Sequence, residues 1–277
     1  PGAESLCESF PQLSFYRDTN IFLLSSTFST SEGGQSLFSI NHTEGSTMDA
    51  LLFRGYLLDP PIHSLSDQKH IIKYWEEGNQ RQHNGVFAAV LLKNHGNTLE
   101  MVTDAFGIGS LYYRKLDSGI AFAISPRFLT CEGDTQDLVA WRCLMQSGFI
   151  PGNHSLSNEI NRVPPGTVLT FSHNSITSKK WFDFENLPTG DSLLSADSVD
   201  RVEGAFSLAM NRCLKLDTAH RLLPLSSGYD SRRILAYLLN QKENFISKTV
   251  RVPDSKNRDI DAYFSSMMAK DFDFPHK

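Results

Sequence analysis

The residues best suited to chemistry lie together at Leu225-Ser226-Ser227-Gly228-Tyr229-Asp230-Ser231. An apolar stretch runs into small polar residues and then directly into a helical pattern. Small side chains let backbone amides approach an anion closely. The N-terminus of the helix adds partial positive charge, worth about 0.3–1 kcal/mol to a negative group. The hydroxyls of Ser226, Ser227 and Ser231 are further donors. The carboxylate of Asp230 is ill-matched to a bare phosphate but fits one whose charge is shared with Mg²⁺. Asp230 as a simple helix cap is the competing reading. The chain contains no G-x-x-x-x-G-K-[ST] run, which sets ordinary P-loop chemistry aside.

These residues need a strand before the turn and a helix after it, and the pattern supplies both. Residues 197–216 carry Val199, Val202, Phe206, Ala209 and Cys213 at helical spacing. A strand at 221–225, a helix at 230–239, a strand at 245–252 and a helix at 259–270 follow. That β-α-β-α order predicts a parallel sheet. Upstream the grammar differs. Residues 1–50 read as edge strands and loops, with apolar bursts at 21–24 and 36–40. Residues 51–58 form a further strand stopped by Pro60-Pro61. A helix capped by Ser66 places Ile71, Ile72 and Trp75 on one face and exits at Gly78. Strands at 86–92, 99–103, 111–113 and 119–124, separated by turn residues, predict an antiparallel meander. A helix at 135–147 has Leu138, Trp141, Leu144 and Met145 on one side and ends at Gly148. A hairpin spans 163–182, from Pro164-Pro165-Gly166 to Trp181, and the polar stretch 185–195 reads as a linker.

Composition bounds the possibilities. The chain has 277 residues, 40% apolar and 21% charged, with a net charge of −5. This is ordinary globular composition, sized for one large domain or two medium ones. The acidic balance gives no reason to expect nucleic acid as a partner. No apolar run is long enough for a membrane helix, and the first residues show no signal peptide. Cys7, Cys131, Cys143 and Cys213 are scattered without a C-x-x-C pair, so four reduced thiols in a cytoplasmic protein are expected. The sequons at Asn41 and Asn153 are then incidental. The nine histidines show no paired-ligand spacing, and a transition-metal site is not expected. Trp75, Trp141 and Trp181 read as core, Arg232 and Arg233 as solvated surface, and Asp104, at a strand end, as a turn former.

The turn at 225–231 resembles the S-G-G-x-D-S signature of the PP-loop ATP pyrophosphatases, in particular the synthetase domain of the asparagine synthetase family. Ser226, Gly228, Asp230 and Ser231 match. Ser227 stands where the family carries its first glycine. A position needing positive φ would make that serine cost about 1–2 kcal/mol. Residues 249–254, 259–272 and 273–276 resemble the family's second strand, the following helix and its close. Upstream, Asn84-Gly85-Val86-Phe87-Ala88-Ala89 resembles its D/N-G-x-F-A-F strand. Residues 104–113 resemble D-R-x-G-x-K-P-L-Y-Y, residues 120–125 resemble F-A-S-E, and Val163-Pro164-Pro165-Gly166 resembles its l-P-P-G turn.

The resemblance implies an α+β Ntn-type sandwich, antiparallel sheets with flanking helices, over residues 1–190. A partial α/β parallel-sheet PP-loop domain, the start of an ATP-binding domain, then covers 191–277. In the family the first domain is a class II glutamine amidotransferase with a cysteine nucleophile at the mature N-terminus. This chain begins at Pro1. Arg54-Gly55-Tyr56 stands where the glutamine-binding N-G-E is expected, and Asn84 replaces a carboxylate. These departures imply a glutaminase domain kept as scaffold, as in beta-lactam synthetases and lasso-peptide cyclases.

By resemblance, Ser226, Ser227, Gly228 and Ser231 contact the pyrophosphate of ATP, and Asp230 holds Mg²⁺. Leu225 and Val250 to Val252 lie near the adenine. The activity implied is ATP-dependent activation of a carboxylate as an acyl-adenylate, which an amine converts to an amide. The substrates expected are a small-molecule or peptide carboxylate and an amine. Only 46 residues follow Ser231, so a second chain completing the domain, or a homodimer, is expected. The alternatives are a non-catalytic truncated paralogue acting as a binding module, and a glutamine-hydrolysing asparagine synthase lacking its N-terminal cysteine.

Overall fold

A computed structural model describes residues 13–18, 21–26, 36–40, 48–59, 61–62, 84–94, 96–117, 119–173, 175–186, 196–216, 220–251 and 259–277. The expected helix at 66–78, with Trp75, and Cys7 fall outside the described residues. The chain divides into two compact units, Pro1–Ser195 with Arg212–Leu216, and Ala196–Asn211 with Asp217–Lys277.

The first unit is antiparallel. Strands β1 (Leu13–Asp18) and β2 (Ile21–Ser26) form a hairpin of their own. The main sheet joins β3 (Ser36–Ile40), β4 (Met48–Asp59), β5 (Pro61–Ile62), β6 (Asn84–Lys93), β7 (Thr98–Thr103), β11 (Thr167–Ser172) and β12 (Ser175–Lys180). Its order is β12-β11-β7-β6-β4-β3, with β5 added to β4. Strand β3 is an edge, as its short apolar burst suggests. The proline pair does not end the pairing outright. Pro61 and Ile62 fold back on Leu58 and Leu57, where a proline needs no ladder donor. A second sheet holds β8 (Tyr112–Leu116) between β9 (Gly119–Ala123) and β10 (Ile160–Arg162).

The expected meander is therefore split between two sheets. Strands β6 and β7 pair in one, β8 and β9 in the other. The central strands alternate, and the alternation divides the core in two. Leu51, Phe53, Leu57, Phe87, Ala89, Leu91 and Val102 pack on one face, with Val168 and Trp181 against them. Ala50, Ala88, Val90, Leu92, Met101 and Leu169 face the other way and meet Leu111, Tyr113, Ile120 and Phe122 from the second sheet. Each large apolar side chain buried here contributes about 1.5–3 kcal/mol. Trp181 is partly buried and donates its indole N–H to the Thr103 carbonyl at 3.1 Å.

Helix α1 (Leu138–Ser147) starts later than the expected 135, because Asp137 caps it through Oδ1 to the amides of Val139 and Ala140. Its expected apolar face is not inward. Leu138, Trp141 and Met145 are exposed, and Ala140 is the residue that is buried. Trp141 is thus not core. The helix sits with its small residue inward, so its large apolar side chains face out.

In the second unit, helix α2 (Ala196–Leu214) is followed by β13 (Leu222–Pro224), α3 (Tyr229–Asn240), β14 (Ile246–Lys248) and α4 (Ile260–Asp271). Strands β13 and β14 pair in parallel, with Leu223 opposite Ser247. Residues 275–277 run parallel along the other side of β14. The Ser247 amide donates to Pro275 O at 2.9 Å and the Lys277 amide to Ser247 O at 3.0 Å. Strand β14 is shorter than the expected 245–252 because the pairing ends at Lys248. On α2, Val199 and Val202 are exposed rather than buried. No described helix is long and apolar enough to cross a membrane.

Candidate functional site

The turn from β13 into α3 carries the residues singled out from sequence. Gly228 is the N-cap residue of α3, in extended backbone, and Asp230 lies exposed in the first turn. The arrangement is a strand, a turn of small residues and a helix N-terminus, at the carboxyl end of a parallel strand. That is where open α/β sheets bind ligands.

The turn amides are not idle. Ser226 N–H donates to Ser231 Oγ at 3.2 Å, and Gly228 N–H to Ser226 Oγ at 3.3 Å. The Ser231 hydroxyl lies 3.0 Å from Ser226 Oγ and 3.0 Å from the Ser226 carbonyl. The strongest contact comes from 34 residues away. Asp261 Oδ1, in the first turn of α4, accepts from Ser227 N–H at 2.8 Å and from Ser227 Oγ at 2.5 Å. These bonds hold the Asp261 carboxyl below the ordinary carboxylate range, first through the Ser227 hydroxyl and then through its amide. A carboxylate of the chain itself therefore sits on the turn. Sequence reasoning missed it. Asp259 caps α4 by accepting from the Ala262 amide, and Asp261 reads as one more first-turn acid.

Ser227 does not adopt a positive φ, so the cost anticipated for a serine there does not arise. Leu225 is buried, and its carbonyl accepts from Thr249 Oγ1 at 2.7 Å and Ser265 Oγ at 3.4 Å. Its side chain is core. Val250 lies beyond the end of β14 and is 89% exposed, away from the strand expected to hold it. Arg233 pairs with Glu203 at 2.6 Å and lies over the Phe206 ring, so it ties α3 to α2. Arg232 stacks on Tyr229. Mg²⁺ takes one or two carboxylates together with phosphate oxygens and waters. Asp230, exposed in the first turn of α3, offers one such carboxylate.

In the first unit, the segment after β7 is built around Asp104, which is fully buried. Its Oδ1 accepts from the amides of Phe106 (3.0 Å) and Ile108 (3.1 Å). Its Oδ2 accepts from Phe87 (3.2 Å) and Gly109 (2.6 Å). This turn carries the chain from one sheet to the other. Two glycines allow close backbone approaches to β6. A Cβ on Gly109 would lie 2.2 Å from the Phe87 carbonyl, and one on Gly55, at φ +118°, would lie 2.0 Å from Val86 O. Arg54, opposite Ala88 in the β4–β6 register, is exposed, as is Asn84; Tyr56 is half-buried, and burial pushes its phenol up.

Comparison with known proteins agrees with part of this picture. Residues 58–182 match the family described as "Glutamine amidotransferase domain". The chain is 24% identical over 169 residues to asparagine synthetase [glutamine-hydrolyzing] 1 of Bacillus subtilis (strain 168), covering 59% of this chain and 26% of that protein. The chain thus spans about a quarter of the length of the curated relative it matches. Among solved structures, glutamine phosphoribosylpyrophosphate amidotransferase from B. subtilis aligns over 88% of this chain and 48% of its own, at 12% identity and TM-score 0.32. A structure titled as the allosteric regulatory enzyme of purine biosynthesis aligns over 80% and 48%, at 11% and 0.32. Overlap this low carries no argument about the fold.

Proposed function

We propose that this chain carries the nucleotide-entry part of an ATP-dependent, amide-forming ligase of the asparagine synthetase family, joined to an Ntn-type glutaminase-like domain that no longer hydrolyses glutamine. The observation that carries this reading is the β13–turn–α3 unit, with Ser226, Ser227, Gly228 and Ser231 at the head of a helix and Asp230 exposed beside them. The likeness to a glutamine-hydrolysing asparagine synthetase supports it. The degenerate side of the proposal rests on Arg54, Tyr56 and Asn84. A cation, a phenol and a neutral amide stand where the resemblance expects an amide, a carboxylate and a carboxylate.

In this reaction the substrate carboxylate attacks the α-phosphate of ATP. An acyl-adenylate forms and pyrophosphate leaves, and an amine then displaces AMP. Charge grows on the departing pyrophosphate, and preorganised donors there lower the barrier. The Ser226 and Gly228 amides, held by bonds of 3.2 and 3.3 Å, exchange them for phosphate oxygens at little cost. The Ser227 amide does so only when Asp261 withdraws. Asp230 would hold Mg²⁺, which would supply positive charge to offset that of the phosphates. A second chain or a second copy is the proposed macromolecular partner, and the cytoplasm, where ATP is abundant, is the expected setting.

One observation favours a second reading. The turn is already satisfied by Asp261, so a non-catalytic paralogue that binds a partner without turnover also accounts for it. Calorimetric titration with ATP and Mg²⁺, beside Asp230→Ala, separates the two. Micromolar to low-millimolar binding lost in the variant supports the ligase. Stable folding with no nucleotide binding by either protein supports the binding module.

A further inference from the structure

Helix α1 turns its smallest residue inward and its largest residues outward. Ala140 is fully buried, while Leu138 is 73% and Met145 79% exposed. At about 100° per residue, Leu138, Trp141, Arg142 and Met145 fall on the side of the helix away from Ala140. Val139 is exposed beside that face, and Phe149 is exposed just past the Gly148 cap. The exposed apolar side chains offer on the order of 600 Å². That is the upper end of what a monomer leaves uncovered in one patch, and near the ~800 Å² each partner buries in a standard interface.

The spacing of the outward residues bears on what covers them. Leu138, Trp141 and Met145 stand at i, i+3 and i+7. That is the narrow seam of a helix paired with one other helix, not the wide stripe of a helix laid on a core. The seam is also self-complementary. Let two copies of α1 run antiparallel about a two-fold axis between Trp141 and Arg142. Leu138 of each copy then meets Met145 of the other. The same register sets each Arg142 guanidinium against the Trp141 ring of the other copy, a cation–π pair. Arg142 is the only charged residue in 138–147, so the pairing buries no carboxylate of either helix. Each N-terminus, with its capping Asp137, comes beside the C-terminus of the other helix, and the two helix dipoles oppose.

We propose that α1 is a self-association surface, on which two copies of this chain pair antiparallel through Leu138, Trp141, Arg142 and Met145. The surface lies wholly in the first unit, and the proposal does not rest on nucleotide binding at the Ser226–Ser231 turn. An interface of this size is a weak one, so a micromolar monomer–dimer equilibrium is expected. Sedimentation velocity on the full chain, from about 1 to 500 µM, reads it. Leu138→Glu and Met145→Lys are each expected to weaken the dimer at least tenfold. Both positions are exposed, so the variants are expected to keep the melting temperature of the unaltered chain. Mixed in equal amounts, the two variants are expected to dimerise again. One of the two pairs then sets the introduced acid against the introduced amine, and the other remains Leu138 against Met145. Concentration-dependent shifts of the α1 amides in the ¹⁵N-labelled chain give a readout that needs no variant. An unaltered chain that stays monomeric through this range overturns the proposal and leaves α1 to a different occupant. Variants that dimerise as well as the unaltered chain, a mixture that does not recover, or shifts that spare α1 overturn it too.

Discussion

Each unit of the molecule holds a carboxylate against backbone amides, and the two do it differently. Asp104 is fully buried and accepts from four amides, those of Phe87, Phe106, Ile108 and Gly109. Asp261 is half-buried and accepts from one amide and one hydroxyl, both of Ser227. The first carboxylate is part of the frame. No water can take its place, and four donors would be orphaned without it. The second sits at the mouth of a helix N-terminus, where solvent or an anion can replace it. The same elementary pairing thus makes a permanent corner in one unit and an occupant that can be displaced in the other.

The sharpest way to break this comparison is to remove the permanent carboxylate. Asp104→Ala strands four amides and is expected to destabilise the chain by about 3–5 kcal/mol, read as a large fall in urea midpoint or in melting temperature. A loss below 1 kcal/mol would mean that the corner stands without it. Next comes the close approach that the corner depends on. Gly109→Ala puts a methyl 2.2 Å from the Phe87 carbonyl. The backbone must shift, at about 1–3 kcal/mol. The same substitution at Gly204, in helix α2 with nothing within 4 Å and no positive φ, lacks the clash and serves as the control, expected to be neutral or stabilising.

The displaceable carboxylate predicts a gain rather than a loss. Asp261→Asn removes a negative charge from the turn, and pyrophosphate with Mg²⁺ should bind roughly tenfold tighter by calorimetry. Weaker binding would make Asp261 a ligand of the site instead of its competitor. The smallest effect concerns pH. Glu159 is held from 4.5 to about 2, first by the Ser157 hydroxyl and then by the Thr135 hydroxyl and amide. Its ionised form is the one the fold prefers. Its contribution is complete above pH 4.5 and declines as the pH falls toward 2. Glu159→Gln should flatten the acid limb of the stability curve by lowering stability above pH 4.5 while changing it little near pH 2.

How far the sequence carries is clearest at these two carboxylates. Asp104 is legible as a turn former, since an acid at a strand end before Gly107 and Gly109 has few other uses. The number of amides it gathers is not legible, because the Phe87 amide comes from another strand. Asp261 is not legible at all as part of the turn. Parallel pairing of β13 with β14 sets the start of α4 beside Ser227, and no local pattern encodes a contact across 34 residues. Strand alternation in β4 and β6 gives the core correctly, because both faces are covered. Helix α1 misleads because Leu138, Trp141 and Met145 share a face at helical spacing while packing admits only Ala140. The glycines illustrate a further limit. Gly109 lies within the residues that match the glutamine amidotransferase domain and Gly55 just before them, and the contacts of both explain them as backbone clearance, without reference to catalysis.

The central claim is that the Ser227 turn is an anion site in which Asp261 holds the place of the ligand. The most direct measurement follows the ¹H–¹⁵N resonances of Ser226, Ser227 and Gly228 while ATP with Mg²⁺ is added, in the chain and in Asp261→Asn. The account predicts saturable shifts at these three amides, at lower nucleotide concentration in the variant, with the Asp104-bound amides unmoved. Nucleotide binding that leaves these three amides still, or no binding by either protein, would contradict it.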